Sequence, residues 1–384
     1  MYSQTELEEA VAAGAISADA ADALRKHVEG QRSTFVPDEE QFRLITGFND
    51  IFVSIAAAIL LFAVGWIGQS IGQATGLMIT DRAGSVGPSL LAPLAVAATS
   101  WGLALYFTAK RRMALPSILL VLTFVFSVFF TVAAIEAQAV LAFAGDRAEV
   151  YFENNETVGR VMLGVLGAIA FAVSAGAAWL HWRRFRVPIT IAAGASAASG
   201  IILAIVAASI GDSVTDMRSV MLGLSLLLGV GVFLFAMWWD GSDRGRVTRR
   251  SDVAFWLHLL AAPMIVHPVF SLLGLNDGSA SIGEGLMVVL LYVAMGVVAL
   301  AIDRRALLVS ALAYVLFALQ AMFQQFGAVE LNVALTALII GSALLSLSAF
   351  WHQARAAIVR PLPEGLRARL PMLDRAAPIP QPAA

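Results

Sequence analysis

The sequence predicts an all-α, polytopic helical membrane protein of about ten transmembrane helices, with a small N-terminal cytoplasmic helical hairpin. Three observations carry that prediction. Hydrophobic residues make up 59% of the chain and charged residues 14%, at a mean hydropathy of +0.80. Soluble domains lie nearer about 45–50% apolar and about 25% charged, so much of this surface must face lipid. Apolar runs of about 20 residues, the length a bilayer core requires, recur along the chain. The charges, finally, segregate by loop.

The pattern is plainest from Leu90 to Ala144, where two apolar runs flank the basic cuff Lys110-Arg111-Arg112. Spans are expected near 51–71, 89–108, 116–137, 159–180, 188–209, 219–239, 253–275, 283–302, 306–325 and 330–351. Further cuffs follow the even spans: Arg183, Arg184 and Arg186, then Arg244, Arg246, Arg249 and Arg250, then Arg304-Arg305. Of the 25 basic residues, only Arg82, Arg147, Arg160 and Arg218 fall on the other side. Cytoplasmic loops carry the Lys and Arg excess, so both termini are expected in the cytoplasm. Heavy Arg and Ala usage reads as the coding bias of a GC-rich bacterium, which makes the bilayer a bacterial inner membrane. Trp179, Trp182, Trp238, Trp239 and Trp351 sit at cuff-side span ends, as an interfacial aromatic belt does. A weak repeat of cuff followed by span suggests a recurring hairpin, although any cuff before any span would look similar.

Three regions are expected: residues 1–47, a cytoplasmic helical hairpin and linker; 48–354, the membrane domain; and 355–384, a disordered, Pro-rich cytoplasmic tail. In the hairpin, Gly14 is the stop of a first helix and Ser17 the N-cap of a second. So small a unit has little core of its own and should dock on something. Residues 1–35 are therefore the expected contact for a cytoplasmic protein partner. Lipid is the other partner, and nothing in the charge pattern points to nucleic acid.

Leu7 to Val28, with Gly14-Ala15-Ile16-Ser17 at its turn, resembles the N-terminal segment of a family of bacterial multi-pass membrane proteins built on a domain of unknown function. There a Leu-rich helix, a Gly-x-Ile-Ser turn and a second helix precede a Gly- and Ala-rich first span, as Phe48 to Ile67 would be here. The resemblance covers roughly the first 75 residues. It implies a membrane fold and brings no catalytic or binding residues.

The least ordinary span is the seventh. Pro263 and Pro268 cannot donate to the carbonyls of Leu259 and Met264, which should kink the helix. Freed carbonyls at membrane depth need partners, so the stretch from Pro263 to Pro268 is expected to face the bundle interior. His258 and His267 are nine residues apart and fall on opposite faces, so they are not a joint metal site. Each is either a functional intramembrane group or a histidine hydrogen-bonded to a neighbouring helix. Glu136 with Gln138, Gln320 with Gln324, and Gln69 with Gln73 lie toward the ends of outward-running spans. They form either a polar vestibule with His267 or a set of helix ends at headgroup depth. The small residues Gly68, Gly72 and Gly76, and the Ala- and Gly-rich stretch 192–200, should serve helix packing.

The absence of cysteine removes disulfides and thiolate chemistry. No phosphate-binding loop, zinc-protease helix or nucleophile elbow is present. The expectation is a non-enzymatic membrane module with cytoplasmic interaction segments, needing no cofactor or metal. The alternative is a permease for a small solute or lipid, with the kinked seventh span lining its path.

Overall fold

The computed structural model describes residues 10–24, 48–80, 86–144, 155–210, 216–246, 248–274, 282–305, 307–308, 312, 316 and 332–373. The chain divides into two compact units, 1–42 with 372–384 and 43–371. In the first, helical residues 10–12 end in a turn where Gly14 takes φ +69°. Its N–H bonds to the Val11 carbonyl at 3.0 Å. Ser17 Oγ accepts from the Ala20 N–H at 3.2 Å and caps helix 18–24. The turn and cap are those the residues predict. The linker at 36–40 lies outside the described residues.

The second unit is helical and of membrane type. Six helices are long and apolar enough to cross a bilayer: α1 (Phe48–Thr75), α3 (Ala114–Ala144), α4 (Glu156–Phe185), α5 (Ile189–Ile210), α6 (Met217–Gly241) and α7 (Arg249–Leu272). Shorter apolar segments lie in α2 (Leu91–Phe107), α8 (Ile282–Ile302) and α9 (Asn332–Ala349). These match the expected spans one to eight and ten. Most of the stretch expected as span nine lies outside the described residues. Large apolar side chains such as Phe62, Leu163, Leu227 and Leu345 stand exposed, as a surface against lipid requires. Hydrogen bonds from Ser219 cap α6 at Asp216 and hold that carboxyl below the usual carboxylate range.

One element departs from an all-helical reading. Between α1 and α2, β1 (Met78–Thr80) and β2 (Val86–Ser89) pair antiparallel. The cause is Gln69 of α1, whose Nε2 donates to the Gly87 carbonyl at 2.9 Å while its Oε1 accepts the Ser89 N–H at 2.7 Å. A side-chain amide thus holds the β2 backbone against the helix. The small-residue stripe serves the same contact. A Cβ on Gly68 would lie 2.8 Å from Ala92 Cα, and one on Gly72 2.0 Å from Ser89 Oγ. Gly76 instead supplies the left-handed turn, at φ +72°.

The helices pack as sequential hairpins, α2 on α3, α4 on α5 and α6 on α7. Each hairpin turn carries a non-glycine residue in the left-handed region: Arg112 at φ 55°, Arg186 at 57° and Arg246 at 54°. Asp303, at 58°, does the same after α8. The weak repeat of the sequence therefore has a common backbone device at its cuffs. Close approach along the hairpins relies on glycine. A Cβ on Gly164 would lie 2.5 Å from Ala208 Cβ, and one on Gly229 2.9 Å from the Met264 carbonyl oxygen.

Helix α7 continues through both prolines. It buries Leu257, His258, Ala261, Val266, Pro268 and Phe270, which together cover most of the helix circumference. Pro263 and His267, four residues apart, lie on the remaining exposed side. The expectation of an inward-facing 263–268 stretch therefore holds at Pro268 and not at Pro263 or His267. The reason is the period: His267 lies half a turn from the buried His258 and, four residues after Pro263, shares its exposed side.

The tail also differs from expectation. Disorder is expected from residue 355 apart from a short turn of helix near 365–370; α11 (Glu364–Arg367) falls at that turn, but α10 (Trp351–Val359) also forms, and the chain is anchored as far as Pro371. Trp351, Arg355 and Val359, four residues apart, make the buried face of α10. The Pro composition ends helices here without preventing docking.

Candidate functional site

The site is built where α6, α7, α8 and α10 meet, at their arginine-rich ends. Asp240 stands in the last turn of α6, where a carboxylate meets the negative end of the helix dipole. It is also 1% exposed, so it needs a cation. Arg304, directly after α8 and 2% exposed, supplies one. Its Nε donates to Asp240 Oδ2 at 3.1 Å and its Nη2 to Oδ1, the bidentate fork in which Arg–carboxylate pairs are strongest. The same Nη2 donates to the Ser251 carbonyl of α7 at 3.0 Å.

His258, in the third turn of α7 and wholly buried, places Nε2 3.2 Å from Asp240 Oδ2. An ionised carboxylate can only accept, so Nε2 carries the hydrogen and donates it. Nδ1 is buried without a hydrogen-bond partner among the described residues, and the Phe233 ring stands edge-on at 5.2 Å.

Asp303 faces a second set of partners. Its N–H bonds to the Leu300 carbonyl at 3.2 Å and the Arg304 N–H to that of Ala299 at 2.9 Å, the paired bonds of a Schellman stop. Its Oδ2 accepts from Arg246 Nη1 at 2.9 Å and its Oδ1 from Trp351 Nε1 at 2.8 Å. Arg355 Nε lies 3.8 Å from Oδ1, and Arg355 Nη2 donates to the Pro371 carbonyl at 2.8 Å. Arg305 covers the Trp351 ring at 4.8 Å. In the α6–α7 turn, Asp243 Oδ2 accepts from the Thr248 N–H at 2.8 Å and from its hydroxyl at 2.6 Å, fixing the N-cap of α7.

Three carboxylates, Asp240, Asp243 and Asp303, thus stand among three guanidiniums, Arg246, Arg304 and Arg355. Asp240 and Asp303 each hold a guanidinium from another element, and Asp243 holds the N-cap residue Thr248. Chemically this is a clamp. Among the described residues no three His, Cys, Asp or Glu converge to hold a metal. A groove of about 560 Å³ lies away from the cluster, between α4 and α5, lined by apolar residues such as Val161, Val165 and Ile205.

Of the candidate polar-site residues that are described, His258 alone joins the cluster, alongside Arg246, Arg304 and Trp351 of the cuffs and aromatic belt. It does so as the helix-to-helix hydrogen bond weighed for it, and it lies opposite His267 as the spacing requires. Glu136 is half-buried near the far end of α3, roughly 33 Å along the helix from its basic end. Its Oε1 and the Gln138 Nε2 are buried without a partner among the described residues. Gln320 and Gln324 lie outside the described residues.

Sequence reasoning missed Asp240, Asp303, Arg304, Trp351 and Arg355 as a set. The signal available was an acid inside an arginine cuff, as in Trp239-Asp240-Gly241 and Ile302-Asp303-Arg304. A second buried histidine, His181, was also not singled out. It lies among Trp101, Phe124 and Phe185, with Thr190 Oγ1 3.3 Å from Nδ1. No protein-family model, no curated protein and no solved structure matches the chain.

Proposed function

We propose that the chain is a ten-span bacterial inner-membrane module without enzymatic activity, both termini cytoplasmic, that acts by binding through its cytoplasmic segments. One observation supports this best. The buried charges of the helix-end cluster are spent on other groups of the same chain, and the groove of about 560 Å³ lies elsewhere, between α4 and α5. Chemistry of that kind holds helices in place and handles no substrate. Segments outside the bundle are then what remains to meet a partner, and residues 1–35 are the first candidate. Parity supports ten spans. The chain leaves the cluster at Arg305 and is back beside it at Trp351, which bonds Asp303. Helix α9 accounts for one crossing, and a return to the same end needs one more, the span proposed at 306–325.

Deleting residues 1–35 tests the reading. Insertion and detergent melting should be unchanged, while a cytoplasmic protein crosslinked to the full chain should be lost. Failure of the deleted chain to fold would make the hairpin part of the membrane core and overturn the reading.

A permease for a small solute or lipid is the second reading. It is favoured by Glu136, an acid within a span whose buried Oε1 lacks a described partner. Uptake of any small solute into proteoliposomes, abolished by Glu136→Gln at unchanged melting temperature, would favour it. Equal uptake with and without the substitution would remove its support.

A further inference from the structure

Asp303 and Arg304 are consecutive, yet they serve different layers. Asp303 meets the C-terminal strap, residues 351–371, through Trp351 and Arg355. Arg304 meets the buried Asp240, which in turn holds His258. Between them runs a single peptide plane in a turn whose φ of 58° favours glycine. A non-glycine residue there costs about 1–2 kcal/mol and persists only where its surroundings hold it. Backbone bonds to Leu300 and Ala299 close the turn, and the Asp303 carboxylate ties it to Arg246 on one side and to the strap on the other.

From this geometry we propose that the Asp303–Arg304 turn couples docking of the strap to the buried Asp240–His258 pair. When the strap leaves, Asp303 loses Trp351 and Arg355 while Arg246 stays, and the left-handed turn, held on one side only, relaxes toward the ordinary helical region. That rotation moves the next residue, and the fork of Arg304 on Asp240 tolerates little misalignment. The strap is built to leave first. Its helices are 9 and 4 residues long. Arg244 holds it by Nε to the Leu370 carbonyl at 3.0 Å and by Nη2 to the Arg367 carbonyl at 3.3 Å, both neutral acceptors. The Arg304–Asp240 contact is ion to ion and more deeply buried. The strap thus works as a clasp, and α6 and α7 receive its state through one turn.

The chain has no cysteine, so a single introduced thiol reports cleanly. Leu370→Cys, at a position 9% exposed, follows the strap, and Ala178→Cys, 1% exposed on α4, follows the rest of the bundle. Maleimide labelling is measured on the full chain in nanodiscs. Leu370→Cys should label slowly, and Arg355→Gln or Arg244→Gln should speed it about tenfold, since labelling of a buried thiol tracks local opening. Asp240→Asn alters no residue of the strap and should still speed it about fivefold, the lower end of ordinary coupling between sites. Ala178→Cys should be unaffected. Because coupling is reciprocal, Arg355→Gln should also shift the His258 ring nitrogen resonances, assigned through His258→Gln.

Three results would each overturn the proposal. Leu370→Cys could label at the rate of a free thiol in the parent, which would mean the strap is not docked. Asp240→Asn could leave the Leu370→Cys rate unchanged. It could also speed Ala178→Cys equally, which would make the effect general loosening.

Discussion

At Asp240 a carboxylate occupies three unfavourable settings at once: a helix C-terminus, a buried site and a membrane-spanning helix. Arg304 offsets all three, yet a buried ion pair of this kind contributes little net stability, because both ions have lost water. Its removal is another matter. Arg304→Met should cost about 3–5 kcal/mol, since it strands a buried charge. The double change Asp240→Asn with Arg304→Met should restore most of that, and Asn keeps a carbonyl oxygen for the His258 Nε2 hydrogen. Chemical or thermal unfolding in detergent would measure both. A double variant no more stable than Arg304→Met would show that the pair is favourable in its own right. Sequence could reveal His258 but not its partner. Reading spans from hydropathy ends a helix at its first charge, so Asp240, Asp303 and Arg304 counted as loop. Their burial depends on how three helix ends converge, and no local pattern records that. His267 illustrates the opposite error. A histidine between apolar residues before a proline looked like an interior group, yet helical period alone places it across from the face that His258 occupies.

The elements obey the same limits. From sequence it is clear that Pro268 releases the Met264 carbonyl, and unclear what meets it. The structure sets Gly229 of α6 there, so close that a Cβ would lie 2.9 Å from that oxygen. Glycine presents a Cα hydrogen instead, a weak donor that suits a carbonyl without its helical partner. Gly229→Ala should therefore cost about 1–3 kcal/mol, as overpacking against backbone does. Gly223→Ala, on the same helix with nothing within 4 Å of its added Cβ, should be neutral or slightly stabilising. Equal effects of the two on the melting temperature would refute the close-contact explanation. The tail shows why composition alone misleads. Six prolines after residue 360 suggest a chain that cannot pack, but Trp351, Arg355 and Val359 give α10 a buried stripe. Three well-placed side chains outweigh a breaker-rich background, and the stripe is recognisable only once α10 is known to lie against α8.

For the whole molecule, the readable part was the alternation of apolar runs and arginine cuffs, and the described helices fall on nine of the ten runs expected. What alternation does not record is how the cuffs are built. Arg112, Arg186, Arg246 and Asp303 all take the left-handed turn, so four helix ends close by one device. Arg111, Arg183, Arg186 and Arg305 each lie over an aromatic ring at these same ends. Cation and ring together fit a headgroup boundary, where an amphipathic pair keeps one side wet. If these ends share one boundary, reporter fusions after Arg112, Arg186, Arg250, Arg305 and Arg360 should all read as cytoplasmic. Fusions near Asp81, Glu149, Asp212 and Asp277 should read as external. The decisive pair is Arg305 and Arg360. Both border the same ionic cluster, so they must agree whatever lies between them. Opposite readings at those two positions would break the cluster as well as the ten-span topology. An external reading at all five cuffs would instead invert the molecule and leave the clasp intact, because it depends on which helix ends meet and not on which side of the membrane they meet.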